Sequence, residues 1–238
     1  MSKAKSSGAA TGNYILDSIP AEDFDKLADK LKPVQLTQSE VLYHARQPIH
    51  QVYFPTTALL SWVASTEEGE MIEAGITGYE GMTGASTFLG QDLAPYRVDV
   101  QLSGSGFKMG AAAFKEAYDR SHFLQSLVLK YTHMQLMQLA QSVVCNRFHT
   151  VEERLCRWLL IAHDRVKSDE FQLTQEILAN MIGARRPAIS IVTGTLQTAG
   201  LIRSRRAKIT IVDREGLEAA ACECYRIVKE EFDRFLGR

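Results

Sequence analysis

Between Phe171 and Asp213 the chain reads FQLTQEILANMIGARRPAISIVTGTLQTAGLIRSRRAKITIVD, and few local structures satisfy that order of residues. Thr174 suits a helix N-cap, with Glu176 in the first turn, where the helix dipole favours an acid. Ile177, Leu178 and Met181 give that helix an apolar side. Gly183 ends it after about two turns. A second helix begins at Arg185 or Arg186, and Pro187 fits there because the first helical turn needs no intrahelical N–H. Ile189, Val192 and Leu196 bury one side of it, and Gly200 lies just past its end. Two strands then follow, Leu201-Ile202-Arg203 and Lys208-Ile209-Thr210-Ile211, joined by Ser204-Arg205-Arg206-Ala207. A short helix, a glycine turn, a second helix and a two-stranded hairpin predict a winged helix-turn-helix.

Charge adds a chemical argument. The 238-residue chain has a net charge of −1, but residues 1–146 carry 11 basic and 15 acidic side chains, and residues 147–238 carry 16 and 13. Arg185, Arg186, Arg203, Arg205, Arg206 and Lys208 fall within 24 positions that hold no acid. A cationic surface of this kind on a helix-turn-helix points to double-stranded DNA as partner. A solvated basic face is the alternative.

Upstream the pattern differs. Residues 21–31 form a short amphipathic helix, with Phe24, Leu27 and Leu31 at i, i+3 and i+7. From 34 to 110, short apolar stretches alternate with turn residues, and Val98, Val100 and Leu102 alternate strictly. About eight strands are expected there, in an antiparallel sandwich or jelly roll. Residues 111–119 and about 121–148 read as helices, the second without Gly or Pro. It carries two apolar stripes. One runs Leu124, Leu127, Tyr131 and Met134, continuing through Gln138, Gln141 and Cys145. The other is Leu129, Leu136, Leu139 and Val143. Two stripes allow one face on the sandwich and one on a second copy of the chain, with Leu124, Leu127, Tyr131 and Met134 as the expected dimer seam. A core helix of a single chain is the alternative. Residues 150–166 form a further helix.

The fold class is therefore α+β. The expected divisions are a disordered tail at 1–12, a sandwich domain at 13–119, a dimerisation helix at 120–148 and a winged helix at 149–238. No apolar run approaches the ~18 residues of a membrane span, and no signal peptide is evident, so a cytoplasmic, reducing setting is expected.

Taken together, these residues resemble the Crp-Fnr family of bacterial transcription regulators over nearly the whole length. LTQEILANMIGARRPAISIVTGTLQTAGLI carries the specific part. The resemblance implies a homodimer on a palindromic operator, with recognition helices in major grooves ~34 Å apart, and RNA polymerase as a further partner. Arg186 matches the family arginine that reads a guanine through O6 and N7. Pro187 stands where many members have a glutamate, and Ile191 where the cyclic-AMP-responsive branch has a second arginine. Direct readout is thus reduced. Thr174, Arg185, Ser190 and Gln197 join the candidate DNA-binding set, with Gln197 and Ser190 reaching bases or phosphates. Arg203, Arg205, Arg206 and Lys208 suit phosphates.

Gly75, Gly78, Gly81 and Gly84 resemble the glycine-rich segment of the family's effector pocket. Met82 replaces the ribose-binding glutamate, and Pro95-Tyr96-Arg97 lacks the phosphate-binding order. Gly81, Met82, Thr83, Gly84, Tyr96 and Arg97 would line any such pocket. The departures favour tight barrel turns and a regulator that cyclic AMP does not control. A small-molecule sensor with another ligand in the barrel is the first alternative, and an enzyme with a regulatory barrel the second. No Walker loop, G-x-S-x-G or H-E-x-x-H supports an enzyme, so no catalytic residues or cofactors are expected.

Nor is a metal. His122 and His133 share a helix face but are ~16 Å apart at ~1.5 Å per residue. His44 and His50 flank a turn. The family's N-terminal iron–sulfur cysteines are missing. Cys145 and Cys156 read as packing residues, and Cys222 and Cys224 as two positions ~200° apart on a terminal helix.

Overall fold

The structure, a computed structural model, describes residues 10–166 and 168–238. The chain divides into two compact units. One comprises residues 1–62 and 76–135, the other residues 63–75 and 136–238.

Seven strands lie between residues 32 and 110: β1 (Lys32–Leu36), β2 (Val41–Tyr43), β3 (Gln51–Pro55), β4 (Leu59–Ser65), β5 (Met71–Thr77), β6 (Arg97–Leu102) and β7 (Gly104–Gly110). They form a three-stranded sheet, order β1-β7-β3, and a four-stranded sheet, order β2-β6-β4-β5. The alternation of Val98, Val100 and Leu102 is realised on β6, where these three side chains are buried and their neighbours half-buried. Seven strands are formed where about eight were expected, and Ala85–Phe88 between β5 and β6 is a turn of 3-10 helix. Two short helices lead in, α1 (Tyr14–Ser18) and α2 (Ala21–Ala28). No pattern in the sequence announces α1.

Asn13 explains it. Its side chain is fully buried, accepts from Leu16 N as the α1 N-cap, and donates from Nδ2 to Pro55 O at 2.8 Å and Gly81 O at 2.7 Å. Every hydrogen of that amide is used, which offsets its burial. Of the tail expected at 1–12, residues 1–9 lie outside the described residues. Thr11 and Gly12 do not form a free tail: their N–H groups donate to the Asp17 carboxylate at 2.7 and 3.0 Å.

Helices α3 (Ala111–Arg120) and α4 (His122–Phe148) follow. On α4, Leu124, Leu127, Tyr131 and Met134 are all buried within their own chain. They pack as core residues of their own chain, which leaves little of their surface for the dimer seam expected there. Tyr131 is the deepest of them. Its hydroxyl donates to Met82 O and pairs with Thr77 Oγ1, both at 3.0 Å, and burial holds the phenol well above its ordinary pKa. The ring lies on Gly81, where an added Cβ would stand 2.1 Å from Cε2. Three residues of the other stripe face outward, Leu129 at 53% exposure, Leu136 at 60% and Val143 at 71%, while Leu139 is half-buried.

The second unit continues with α5 (Val151–Val166), β8 (Glu170–Gln172), α6 (Gln175–Ile182), α7 (Arg186–Thr198), β9 (Ile202–Arg205), β10 (Lys208–Ile211), α8 (Arg214–Ala220) and α9 (Glu223–Leu236). Leu155, Leu159, Phe171, Leu178, Ile189, Leu217 and Phe232 lie in its core. Arg165 is also buried there, with its guanidinium 4.9 Å over the Phe232 ring, a favourable cation–π placement.

The packing of Tyr131 on Gly81 yields a stability test. Gly81→Ala forces a methyl into the Tyr131 ring, and overpacking of this kind costs about 1–3 kcal/mol. The urea midpoint should fall at unchanged slope. An unaltered midpoint would show that Tyr131 does not rest on Gly81.

Candidate nucleic-acid interface

Thr174 caps α6 as its residue type predicts, its hydroxyl accepting from Ile177 N at 3.1 Å. Gly183 ends the helix with φ 63°, in the left-handed region where glycine carries no steric cost. Three residues later α7 starts, with Pro187 in its first turn and Arg185 as N-cap. No side chain caps α7; Pro187 has no N–H and Ala188 N donates to Arg185 O at 2.9 Å, so what this end offers an anion is the positive end of the helix dipole with Arg185 and Arg186 beside it. Ile189, Thr193 and Leu196 bury one face. Arg185, Arg186, Pro187, Ser190, Ile191 and Gln197 lie on the rest of it, outside that buried face. Ile191 is 70% exposed, which is high for an aliphatic residue in mid-helix.

The wing differs from the expected hairpin in two ways. Strand β9 runs on through Arg205, with Lys208 opposite Arg205, so the loop shrinks to Arg206-Ala207. Both loop residues have positive φ, 49° and 60°. This is the backbone of a type I′ turn, usually made by Asn-Gly. A third strand, β8, pairs with β10 to give the order β8-β10-β9.

That extra strand changes the electrostatics. Lys208 Nζ lies 2.6 Å from Glu170 Oε1 on β8, the neighbouring strand of the sheet. Lys208 is therefore neutralised locally and less free for a phosphate than its place in the basic run implied. Arg203, Arg205 and Arg206 are exposed and line the same face. Two other candidates also have intramolecular partners. Gln197 Oε1 accepts from Ser204 N at 2.8 Å and fastens α7 to the wing. Ser190 Oγ donates to Gln175 Oε1 at 2.6 Å, across the helix pair. These two position the motif. Arg185, Arg186 and Ile191 are left as the side chains presented outward near the start of α7.

The candidate effector residues are spent on packing. Met82 is fully buried with its carbonyl bound to Tyr131, and Thr83 Oγ1 pairs with Tyr43 OH at 2.9 Å. Gly84 takes φ 90° in a tight turn, and its missing Cβ leaves room for Val52. Tyr96 stacks on Trp62, with ring centroids 5.2 Å apart. Burial raises the Tyr43 and Tyr96 phenols well above their ordinary pKa, so both stay neutral. Arg97 Nε donates to Asp99 Oδ1 at 2.7 Å, and the ion pair neutralises the one cation in this set.

The cysteines depart most from expectation. Cys222 is not in the terminal helix. It is the N-cap of α9, with φ −72° and ψ 163°. The ~200° separation from Cys224 assumed a helical Cys222 and does not hold. Cys145 and Cys222 bring their sulfurs to 3.6 Å.

Residues 153–220 match the Crp-like helix-turn-helix domain. A comparison with curated protein sequences finds no match. Among solved structures, the fold is similar to a Crp/Fnr-family transcriptional regulator from Eubacterium rectale, at 16% identity and TM-score 0.67, covering 87% of this chain and 96% of that one. FixK2 from Bradyrhizobium japonicum is 14% identical with TM-score 0.67, covering 81% and 98%. The c-di-GMP-responsive global regulator CLP of Xanthomonas campestris is 13% identical with TM-score 0.63, covering 81% and 99%. Among the described residues no helix is long and apolar enough to cross a membrane. The resemblance seen in the sequence is borne out: this is a chain of the Crp-Fnr fold, carrying a Crp-like helix-turn-helix domain at residues 153–220.

Proposed function

We propose that the protein is a cytoplasmic, non-enzymatic transcription regulator that binds a palindromic operator as a homodimer. The observation that carries this reading is the exposed start of α7, uncapped and flanked by Arg185 and Arg186, beside a wing bearing Arg203, Arg205 and Arg206. Arg186 offers a planar fork to guanine O6 and N7. Ile191 cannot hydrogen-bond to a base, but its exposed side chain suits the methyl group of thymine. The wing arginines take phosphates, which set register without reading sequence.

Binding to mutant proteins separates these roles. Arg186→Ala should cost about 1–3 kcal/mol on the best operator and relax preference at one base pair. Arg205→Ala and Arg206→Ala should weaken all sequences alike and lower the salt slope by about 0.9 for each phosphate no longer neutralised. Base preference unchanged in Arg186→Ala would refute this docking.

The second copy belongs on the outward stripe of α4. Leu129, Leu136 and Val143 recur every seven residues and are exposed, as a coiled-coil seam requires. Leu129→Glu with Leu136→Glu should sediment as a folded monomer. A persistent dimer would place the interface elsewhere. Leu127→Glu should instead destabilise the fold, because Leu127 is only 7% exposed.

Cyclic AMP is not the effector in this reading. Met82 cannot accept from a ribose hydroxyl, and Arg97 is already paired with Asp99. A buried phosphate left without a counter-charge costs several kcal/mol. Calorimetry should show no saturable binding of cyclic AMP below about 10 μM; binding in that range would reverse the conclusion. A sensor of another ligand is the second reading, favoured by one observation. The Trp62 indole N–H is buried without a hydrogen-bond partner, a donor that a small polar ligand would satisfy.

A further inference from the structure

The end of α4 and the start of α9 bring four metal-ligating side chains together, independently of the DNA-binding surface. Cys145, His149, Cys222 and Cys224 each offer one ligand atom, and these atoms all lie within 4.8 Å of one another. Cys145 lies in the last turn of α4 and His149 just past its end, its N–H donating to Cys145 O at 3.2 Å. Cys222 holds the N-cap position of α9, and Cys224 lies in its first turn. The three sulfurs are buried, and the His149 side chain is 13% exposed.

The distances suit one tetrahedral ion. Zinc–sulfur bonds of ~2.3 Å and zinc–nitrogen bonds of ~2.0–2.1 Å place ligand atoms about 3.5–3.8 Å apart at the tetrahedral angle. Cys145 Sγ to Cys222 Sγ is 3.6 Å, and Cys224 Sγ to His149 Nδ1 is 3.4 Å. An iron–sulfur cluster spreads its ligands over different irons, so it needs a wider set. Four protein ligands and no open position mark a structural site rather than a catalytic one.

The surroundings supply what a histidine ligand needs. His149 Nδ1 faces the sulfurs, while Nε2 lies 3.2 Å from Glu223 Oε2. A carboxylate on the second ring nitrogen fixes the tautomer and orientation that coordination requires. Gln141 Nε2 donates to Cys224 Sγ at 3.0 Å, as a bond to thiolate sulfur would. Three thiolates, a neutral imidazole and Zn²⁺ sum to one negative charge, and the positive charge of Arg157 acts on both Cys145 and Cys224.

We infer that Cys145, His149, Cys222 and Cys224 bind one Zn²⁺, releasing the thiol protons as they do so. The bond set ties α4 to α9. The Crp-like domain at 153–220 lies wholly between the two ligand pairs, so the ion closes the loop that contains it.

Full-length protein purified without a metal-affinity tag should contain one zinc per chain by plasma mass spectrometry. Stripped protein should take up one Co²⁺, with thiolate-to-cobalt charge transfer and tetrahedral d–d absorption. Cys224→Ser and His149→Ala should lose the metal, while Cys156→Ser should keep it. Glu223→Gln should keep the stoichiometry but weaken retention against a chelator by about 10- to 100-fold. Where a ligand variant fails to fold, the wild-type metal count and the Glu223→Gln competition decide the matter. Protein without zinc that also takes up no Co²⁺ overturns the inference. So does a Cys145–Cys222 disulfide in the protein as isolated, or iron accompanied by inorganic sulfide.

Discussion

Tyr131 can lie where it does only because residue 81 has no side chain. The ring occupies the space a Cβ would fill, and its hydroxyl closes on Met82 O and Thr77 Oγ1. That packing fixes the rotation of α4 about its own axis. Taking ~100° per residue, Leu129, Leu136 and Val143 then lie roughly 120–160° away from Tyr131, and Cys145 about 40° from it. Tyr131 shares its buried face with Leu124, Leu127 and Met134, and the other stripe remains open.

At the nucleic-acid surface, the polar residues divide by what they are bonded to. Gln197 and Ser190 hold α7 to the wing and to α6, and Lys208 is paired with Glu170. A residue already engaged must break that bond before it can meet a base, so the outward set narrows to Arg185, Arg186 and Ile191. On the proposed reading, a short direct code would place more of the affinity on phosphates, and with it a stronger dependence on salt.

The helix-turn-helix was legible because each of its boundaries is written in residues with one strong physical preference. Thr174 caps, Gly183 takes positive φ, and Pro187 belongs in a first turn. The sandwich was legible as a class for a similar reason, since Val98, Val100 and Leu102 can bury together only on a strand. Other features depend on partners distant in sequence. Strand β8 is three residues long and exists through its pairing with β10, so EFQ alone does not announce it. Asn13 reads as part of a polar segment until Pro55 and Gly81 supply its acceptors. The two stripes of α4 are comparably apolar, and the groups that cover one of them, Gly81 among them, are distant in sequence. The cysteine geometry failed on one residue: placing Cys222 inside α9 rather than at its cap rotated the sulfur away from Cys224. The spacing Cys145-x₃-His149, followed by Cys222-x-Cys224, was the signal that could have been weighed.

The open stripe of α4 also has a handedness. Residues seven apart on a helix of 3.6 residues per turn fall behind by about 20° at each repeat. From Leu129 through Leu136 to Val143 the apolar seam therefore drifts around the helix as it climbs roughly 21 Å. A straight neighbour laid along it would touch one of these side chains and miss the others. A copy that meets all three has to wind with α4 as a left-handed supercoil, crossing it at about 20°.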